Sequence, residues 1–168
     1  MNRKIARSTL VILSIATLVI TLAPAGQAQD NSCSTAKAAG DWGFTLSGTI
    51  LLPTGPVPAA AVARGSFDTQ GKGNATTATE ARNVGGDFAN ETVTASWTVD
   101  SDCTGTLTVN AYESGVLVRT SVLSLVFVDN MAEVLLVQQS LTVPGGATLP
   151  VVITANGKRL FPQSSNQQ

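Results

Sequence analysis

Few side chains of this sequence are suited to catalysis or metal binding. The chain contains no histidine, which removes the commonest general base and metal ligand, together with Ser-His-Asp and Cys-His catalysis. Its two cysteines, Cys33 and Cys103, leave no thiol nucleophile if they pair with each other. Tyr112, the only tyrosine, is predicted to be a half-buried strand residue rather than a catalytic phenol. We therefore predict no catalytic residue, no cofactor and no metal.

Three turn carboxylates are the remaining candidates for a cation site. Asp100 and Asp102 belong to one predicted turn and Asp68 begins another, so the three could bind a hard cation if the turns met. The alternative is that each carboxylate is solvated and accepts hydrogen bonds from its own backbone, as is common in turns. We favour this alternative.

The N-terminus has the features of an export signal. Three basic residues within the first seven positions precede an apolar run over residues 10–22 and a small-x-small site at Gly26-Gln27-Ala28. This pattern predicts a signal peptide over residues 1–28 and a secreted or periplasmic protein. The apolar run is shorter than the ~20 residues of a spanning helix, which makes an uncleaved anchor the weaker interpretation.

Composition of the remaining chain excludes one class of partner. Without the three basic signal residues, 7 basic residues face 11 acidic ones, so the mature chain is acidic. It lacks the positive charge expected of a nucleic-acid-binding protein. We therefore predict a β-domain over residues 29–161 with a polar tail over 162–168, and no nucleic acid as a partner.

The stretch from Thr92 to Ala111 is the clearest structural signal. Apolar and polar residues alternate on both sides of the Asp100–Asp102 turn, which predicts a β-hairpin with one buried face. A residue pattern typical of one helical turn lies at Ser34–Ala39, and no long amphipathic helix follows. Eight strand-like segments cover the rest of the domain: 43–52, 59–67, 74–82, 92–99, 103–111, 116–128, 131–142 and 149–160. Residues 83–90 are predicted to form a loop.

Strand order and the cysteines together favour a closed, eight-stranded antiparallel up-and-down barrel. In this order Cys33 and the turn before Cys103 lie at the same end, so a disulfide can join them. Such a bridge would contribute about 4 kcal/mol on the chain-entropy model. An immunoglobulin sandwich is the alternative, since Cys33, Trp42 and Cys103 follow its Cys, Trp, Cys order.

The sixth and seventh predicted strands are apolar on both faces. Pairing across a two-residue turn at Asp129-Asn130 would set Val126 opposite Glu133. Because a barrel strand with a wet exterior should alternate, something must cover the outer face, and we predict a homo-oligomer through these strands. Arg119 and Glu133 are the only charged residues on these two strands. Each is predicted to be an ordinary exposed residue, with a buried ligand anchor as the alternative.

Gly40-Asp41-Trp42, at the entrance to the first strand, resembles the Gly-x-Trp signature of lipocalins and related calycin barrels. The resemblance implies that a helical turn plugs the closed end, where Trp42 packs under a basic residue from beyond the last strand; Arg159 matches that position. From Cys33 to Arg159 the chain is also similar to a group of small secreted bacterial proteins. Allene-oxide-cyclase-like and dirigent-like barrels are similar eight-stranded alternatives.

Three functions are compatible with such a barrel. The first is a binding module that holds a small hydrophobic ligand inside the barrel. The second is a structural or surface-interaction module whose core is filled by its own side chains. The third is a cyclase or isomerase with a lone carboxylate in a dry cavity, which only an analogy of fold supports. The candidate interior residues are Val93, Trp97, Leu107 and Arg119.

Overall fold

The computed structural model describes residues 32–73 and 78–160. The predicted signal peptide, residues 1–28, and the predicted tail, residues 162–168, lie outside the described residues. None of the described residues forms a helix that is long and apolar enough to span a membrane.

The described residues form one closed antiparallel barrel, which confirms the predicted fold class and excludes the sandwich. A single helical turn, α1 (Thr35–Ala38), precedes the strands. The strands are β1 (Gly40–Leu52), β2 (Gly55–Phe67), β3 (Lys72–Gly73), β4 (Thr79–Val84), β5 (Asp87–Val99), β6 (Thr104–Glu113), β7 (Val116–Val128), β8 (Glu133–Thr142), β9 (Thr148–Leu149) and β10 (Val151–Arg159).

Closure occurs at β1, which pairs with β2 on one side and with β10 on the other. The short β3 and the longer β4 share one place in the barrel, because both pair with β2 and with β5. The short β9 pairs with β8 and is separated from β10 by Pro150, which has no N–H to donate to a neighbouring strand. Eight strand positions therefore surround the interior.

One end of the barrel is sealed by α1. Ser34 caps this turn, its side chain accepting a hydrogen bond from Lys37 N. Val99 N donates to the hydroxyl of Thr35 over 3.0 Å, which attaches α1 to β5. The disulfide between Cys33 and Cys103 fastens the preceding residues to the β5–β6 turn. We call this the closed end and the opposite one the open end.

Aromatic side chains fill the interior next to α1. Trp42 and Trp97 meet edge to face with 5.5 Å between ring centroids, and Phe127 contacts both tryptophans in the same manner. Phe67 stacks on Trp97 at 3.8 Å. Aromatic rings bury large areas and pack well in such geometries, so this half of the barrel has a solid core.

Two predicted turns differ from those observed. Residues 83–90, predicted to be a loop, form a hairpin between β4 and β5 through Gly85 and Gly86, whose φ angles of 61° and 98° suit a tight two-residue turn. Residues Asp129–Met131 form a 3-10 turn in place of the predicted two-residue reversal. The longer turn shifts the register, so Val126 pairs with Leu135 rather than with Glu133.

Both faces of β7 and β8 are apolar, as the sequence indicates. Leu123, Leu125 and Phe127 point inward and are buried. On the outer face Val126, Leu135 and Val137 are 37%, 43% and 52% exposed. A bulge between Ala111 and Tyr112 shifts the register near the start of β7.

Candidate functional site

A cavity of about 250 Å³ occupies the interior at the open end, above the aromatic core. We call it the cup. Its walls are mainly aliphatic because inward positions of β1, β4, β8, β9 and β10 near this end carry branched side chains. These wall residues are Leu46, Ile50, Val84, Leu141, Leu149 and Ile153.

Charged side chains form the bottom of the cup. Arg119 of β7 donates two hydrogen bonds from Nη2, one to Glu80 Oε1 over 2.7 Å and one to Glu91 Oε2 over 2.6 Å. The side chains of Glu80 and Glu91 are buried, and that of Arg119 is nearly so. Burial opposes the charge of Arg119, but the two carboxylates outweigh it and raise the pKa of the guanidinium. Arg119 is therefore cationic at every working pH.

Arg82 of β4 extends these contacts towards the open end. Its Nε donates to Glu91 Oε1 over 2.6 Å and its Nη2 to Glu113 Oε1 over 2.6 Å. Its Nη1 reaches Asp87, which is largely exposed, over 3.1 Å. Burial opposes the charge of Arg82, yet its hydrogen bonds to the three carboxylates raise its pKa further from neutrality. Both oxygens of Glu91 are thus occupied by guanidinium groups.

We call these two arginines and four carboxylates the ion-pair layer. Beside it Gln138 donates from Nε2 to the hydroxyl of Ser121 over 3.1 Å. Under the layer a second space of only about 60 Å³ remains, and the aromatic core closes it below. The layer therefore separates a filled lower half of the barrel from an open upper half.

The chemistry of this layer is restricted by its own pairing. A general base needs a carboxylate that can reach and accept a substrate proton, but Glu91 accepts hydrogen bonds from guanidinium groups on both oxygens and Glu80 accepts one on Oε1. Among residues 32–73 and 78–160, no group of three His, Cys, Asp or Glu side chains has the arrangement of a metal site. The arrangement is suited to binding and orienting a molecule.

Two of the three turn carboxylates, Asp68 and Asp102, accept hydrogen bonds from their own turns. Asp68 Oδ1 accepts from the backbone N–H groups of Gln70 and Lys72, each over 2.8 Å. Asp102 Oδ1 accepts from the N–H and the hydroxyl of Thr104. Both lie at the closed end, on the far side of the aromatic core from the cup.

The predicted closed-end residues lie together. The Arg159 guanidinium sits 4.9 Å from the centroid of the Trp42 ring. Its Nη1 donates to Ala39 O over 2.6 Å and its Nη2 to Lys37 O over 2.9 Å, which places the guanidinium at the C-terminal end of α1. Burial lowers the pKa of Arg159, although it stays far above neutrality.

The candidate interior residues divide between two levels. Val93, Trp97 and Leu107 are buried, Trp97 and Leu107 within the aromatic core and Val93 beside the smaller space. They do not line the cup. Arg119 does, so it is the one predicted interior residue at the candidate site, and its burial corrects the expectation of an ordinary exposed residue.

Sequence reasoning missed the partners of Arg119. Glu80 and Arg82 stand two positions apart on β4, and therefore on one face of that strand. A polar face is normally taken as the outer one, and here it points inward. A usable signal was present in the rarity of charge, since only 12% of residues are charged and yet these strands carry Glu80, Arg82, Glu91 and Glu113.

Comparison with family models and with curated proteins gives no match. Among solved structures the chain is similar to an S-type phycobiliprotein lyase from Guillardia theta, at 8% identity over 80% of this chain and 97% of that chain, with a TM-score of 0.36. So low a TM-score supports neither a shared fold nor a shared function.

Proposed function

We propose that the protein is an exported binding module that holds a small, mainly apolar molecule in the cup. The observation that carries this proposal is an open cavity with aliphatic walls above the paired charges of Arg119, Glu80 and Glu91, which are largely buried. Apolar walls with a few convergent polar groups are typical of small-molecule sites. The volume of about 250 Å³ lies below the usual range for drug-sized ligands, so the molecule is small.

The alternatives receive less support from the same geometry. A structural module whose core is filled by its own side chains would explain the aromatic half of the barrel. It would not explain the open cavity above Arg119. A cyclase or isomerase requires an unpaired carboxylate inside the cavity, whereas Glu91 accepts from guanidinium groups on both oxygens and Glu80 is paired with Arg119 through Oε1. Export would suit this function and the Cys33–Cys103 disulfide, since disulfides persist in oxidising compartments.

Filling the cup tests the proposal. Ala61 of β2 lines it, whereas its neighbour Val62 is 58% exposed and points outward. We expect Ala61→Phe to reduce the binding of a fluorescent apolar dye by about tenfold or more, because the ring occupies the cavity, and Val62→Phe to leave dye binding unchanged.

Native mass spectrometry of the protein exported by its own host provides the second measurement. We expect an apolar adduct on the wild-type chain and on Val62→Phe, and its loss from Ala61→Phe. A bare mass for the wild type together with no dye binding would refute the binding function. If Ala61→Phe and Val62→Phe bound the dye equally well, the dye would bind outside the cup.

The exposed apolar residues on β7 and β8 bear on assembly. We propose that a second copy of the chain covers the outer face formed by Val126, Leu135 and Val137, because these side chains are apolar and exposed and lie away from the cup. The subunit number from native mass spectrometry tests this directly.

A further inference from the structure

We infer that the molecule held in the cup carries a hydrogen-bond donor, such as a hydroxyl or an amine, and no negative charge. This inference rests on the proposed binding function and specifies the chemical class of the ligand. It follows from the charges and the unused hydrogen-bonding capacity of the ion-pair layer.

The charge balance of the layer is negative. Two guanidinium groups, those of Arg82 and Arg119, are shared among four carboxylates in the contacts already described. A ligand carboxylate or phosphate would have to compete with these carboxylates for the same two cations. Glu80 and Glu91 are buried, while Asp87 and Glu113 lie at the rim. A ligand anion beside the two buried carboxylates would have no cation of its own, which disfavours it.

Hydrogen-bonding capacity points the same way. Glu80 Oε1 accepts from Arg119, whereas Oε2 of the same carboxylate accepts no hydrogen bond from any described residue. The Glu80 side chain is more than nine-tenths buried, and the residue borders both the cup and the smaller space beneath it. A carboxylate oxygen that borders the cavity and receives no hydrogen bond from a described residue can accept one from a ligand. A ligand hydroxyl or amine supplies one, and a carboxylate cannot.

The aliphatic walls define the rest of the ligand. Leu46, Ile50, Leu141 and Ile153 surround the space above the layer and offer no polar side-chain atom. A molecule with an apolar body and one donor group at its end satisfies both regions at once, the body against the walls and the donor at Glu80. The protein would then distinguish ligands by their polar head group and not by their apolar body.

A matched series of octanol, octylamine and octanoic acid tests the inference on the mature exported chain at neutral pH. We expect octanol and octylamine to displace an apolar dye from the cup, and octanoic acid to do so at least about tenfold more weakly. Octanoic acid that binds as tightly as octanol would overturn the inference while leaving the binding function intact. A dye that binds and is displaced by none of the three would also overturn it, whereas a dye that never binds refutes the proposed function itself.

Two variants assign the effect to the layer. Glu80→Gln removes a negative charge in nearly the same shape, so we expect the gap between octanol and octanoic acid to shrink by several-fold. Glu133→Gln makes the same change at the closed end and should leave the gap unchanged. Glu113→Gln, whose side chain is 38% exposed at the rim, serves if Glu80→Gln fails to fold and is expected to narrow the gap to a smaller extent. If neither Glu80→Gln nor Glu113→Gln changed the affinity difference between octanol and octanoic acid, the ion-pair layer would not be its cause.

Discussion

Arg119 of β7 and Glu80 of β4 meet inside the barrel with 2.7 Å between Nη2 and Oε1, although 39 residues separate them along the chain. In the sheet, β5 and β6 lie between these two strands, so the pair reaches across the interior instead of joining neighbours. The contact therefore depends on the curvature of the sheet, which turns β4 and β7 towards each other across the interior.

Removal of Arg119 should be strongly destabilising. Arg119→Met leaves the buried Glu80 without a cation and Glu91 with only Arg82, which should lower the free energy of unfolding by about 3–5 kcal/mol. Urea denaturation measures the change. The double variant Arg119→Met/Glu80→Gln should recover part of the loss, because the unpaired buried charge is gone. A loss below about 1 kcal/mol for the single variant would show that the layer is better hydrated than its burial indicates.

The barrel itself was predictable from local pattern. Alternation from Thr92 to Ala111 specifies a hairpin in which Trp97 pairs with Leu107, because side-chain direction in a strand repeats every second residue. The end of the chain at which each turn falls then follows from counting strands. Cys103 was harder, since it belongs to the turn with a φ of 71° rather than to the strand after it.

The ion-pair layer was not predictable in the same way. Period-two alternation divides a strand into two faces but does not say which face is inside when both are mixed. On β4 the inward face carries Glu80 and Arg82. Ion pairs with residues of β5, β6 and β7 offset the cost of burying these charges. Glu91 lies opposite Glu80 in the β4–β5 hairpin, so that partner follows from correct pairing of two adjacent strands. Glu113 of β6 and Arg119 of β7 come near β4 only through the curvature of the sheet, and no local signal on β4 indicates them.

Loss of the disulfide should weaken the closed end. Cys33 and Cys103 are 70 residues apart in sequence, and on the chain-entropy model a bridge over such a loop contributes about 4 kcal/mol. We expect the Cys33→Ser/Cys103→Ser variant to unfold at lower urea by a free energy of about 2–5 kcal/mol. Wild type unfolded under reducing conditions is the matched control and should behave like the variant. Equal stability of the oxidised wild type and the variant would contradict this expectation.

Arg159 should stabilise α1 through its contacts with the carbonyl groups of Lys37 and Ala39 and with the Trp42 ring. Arg159→Met removes two charge-assisted hydrogen bonds and a cation–π contact, for an expected loss of about 1–3 kcal/mol. Thermal unfolding and the near-ultraviolet circular dichroism of the tryptophans measure it. Lys158→Met, one residue earlier and exposed, is the control and should change neither signal.

Asp102 should make a pH-dependent contribution to stability. The hydroxyl of Thr104, and then its N–H, hold the pKa of Asp102 below its usual value of 3.8. Because the folded-state pKa is the lower one, the contribution is present above pH 3.8 and is lost as the pH falls through the folded-state value. The difference in unfolding free energy between wild type and Asp102→Asn should therefore narrow on acidification. Asp100→Asn, in the same turn, controls for charge, and a difference that does not vary with pH would refute the argument.

The outer face of β8 offers the sharpest test of assembly. A glutamate at position 137 places a charge within an apolar face, and burying that charge against a second copy would cost far more than leaving it in water. We expect Val137→Glu to be monomeric in native mass spectrometry and in sedimentation, while the wild type forms the oligomer. Val62→Glu adds the same charge at an equally exposed valine on β2 and should leave the oligomer intact. If the wild type were monomeric, or if Val137→Glu still formed the oligomer, the outer face of β7 and β8 would not be the interface.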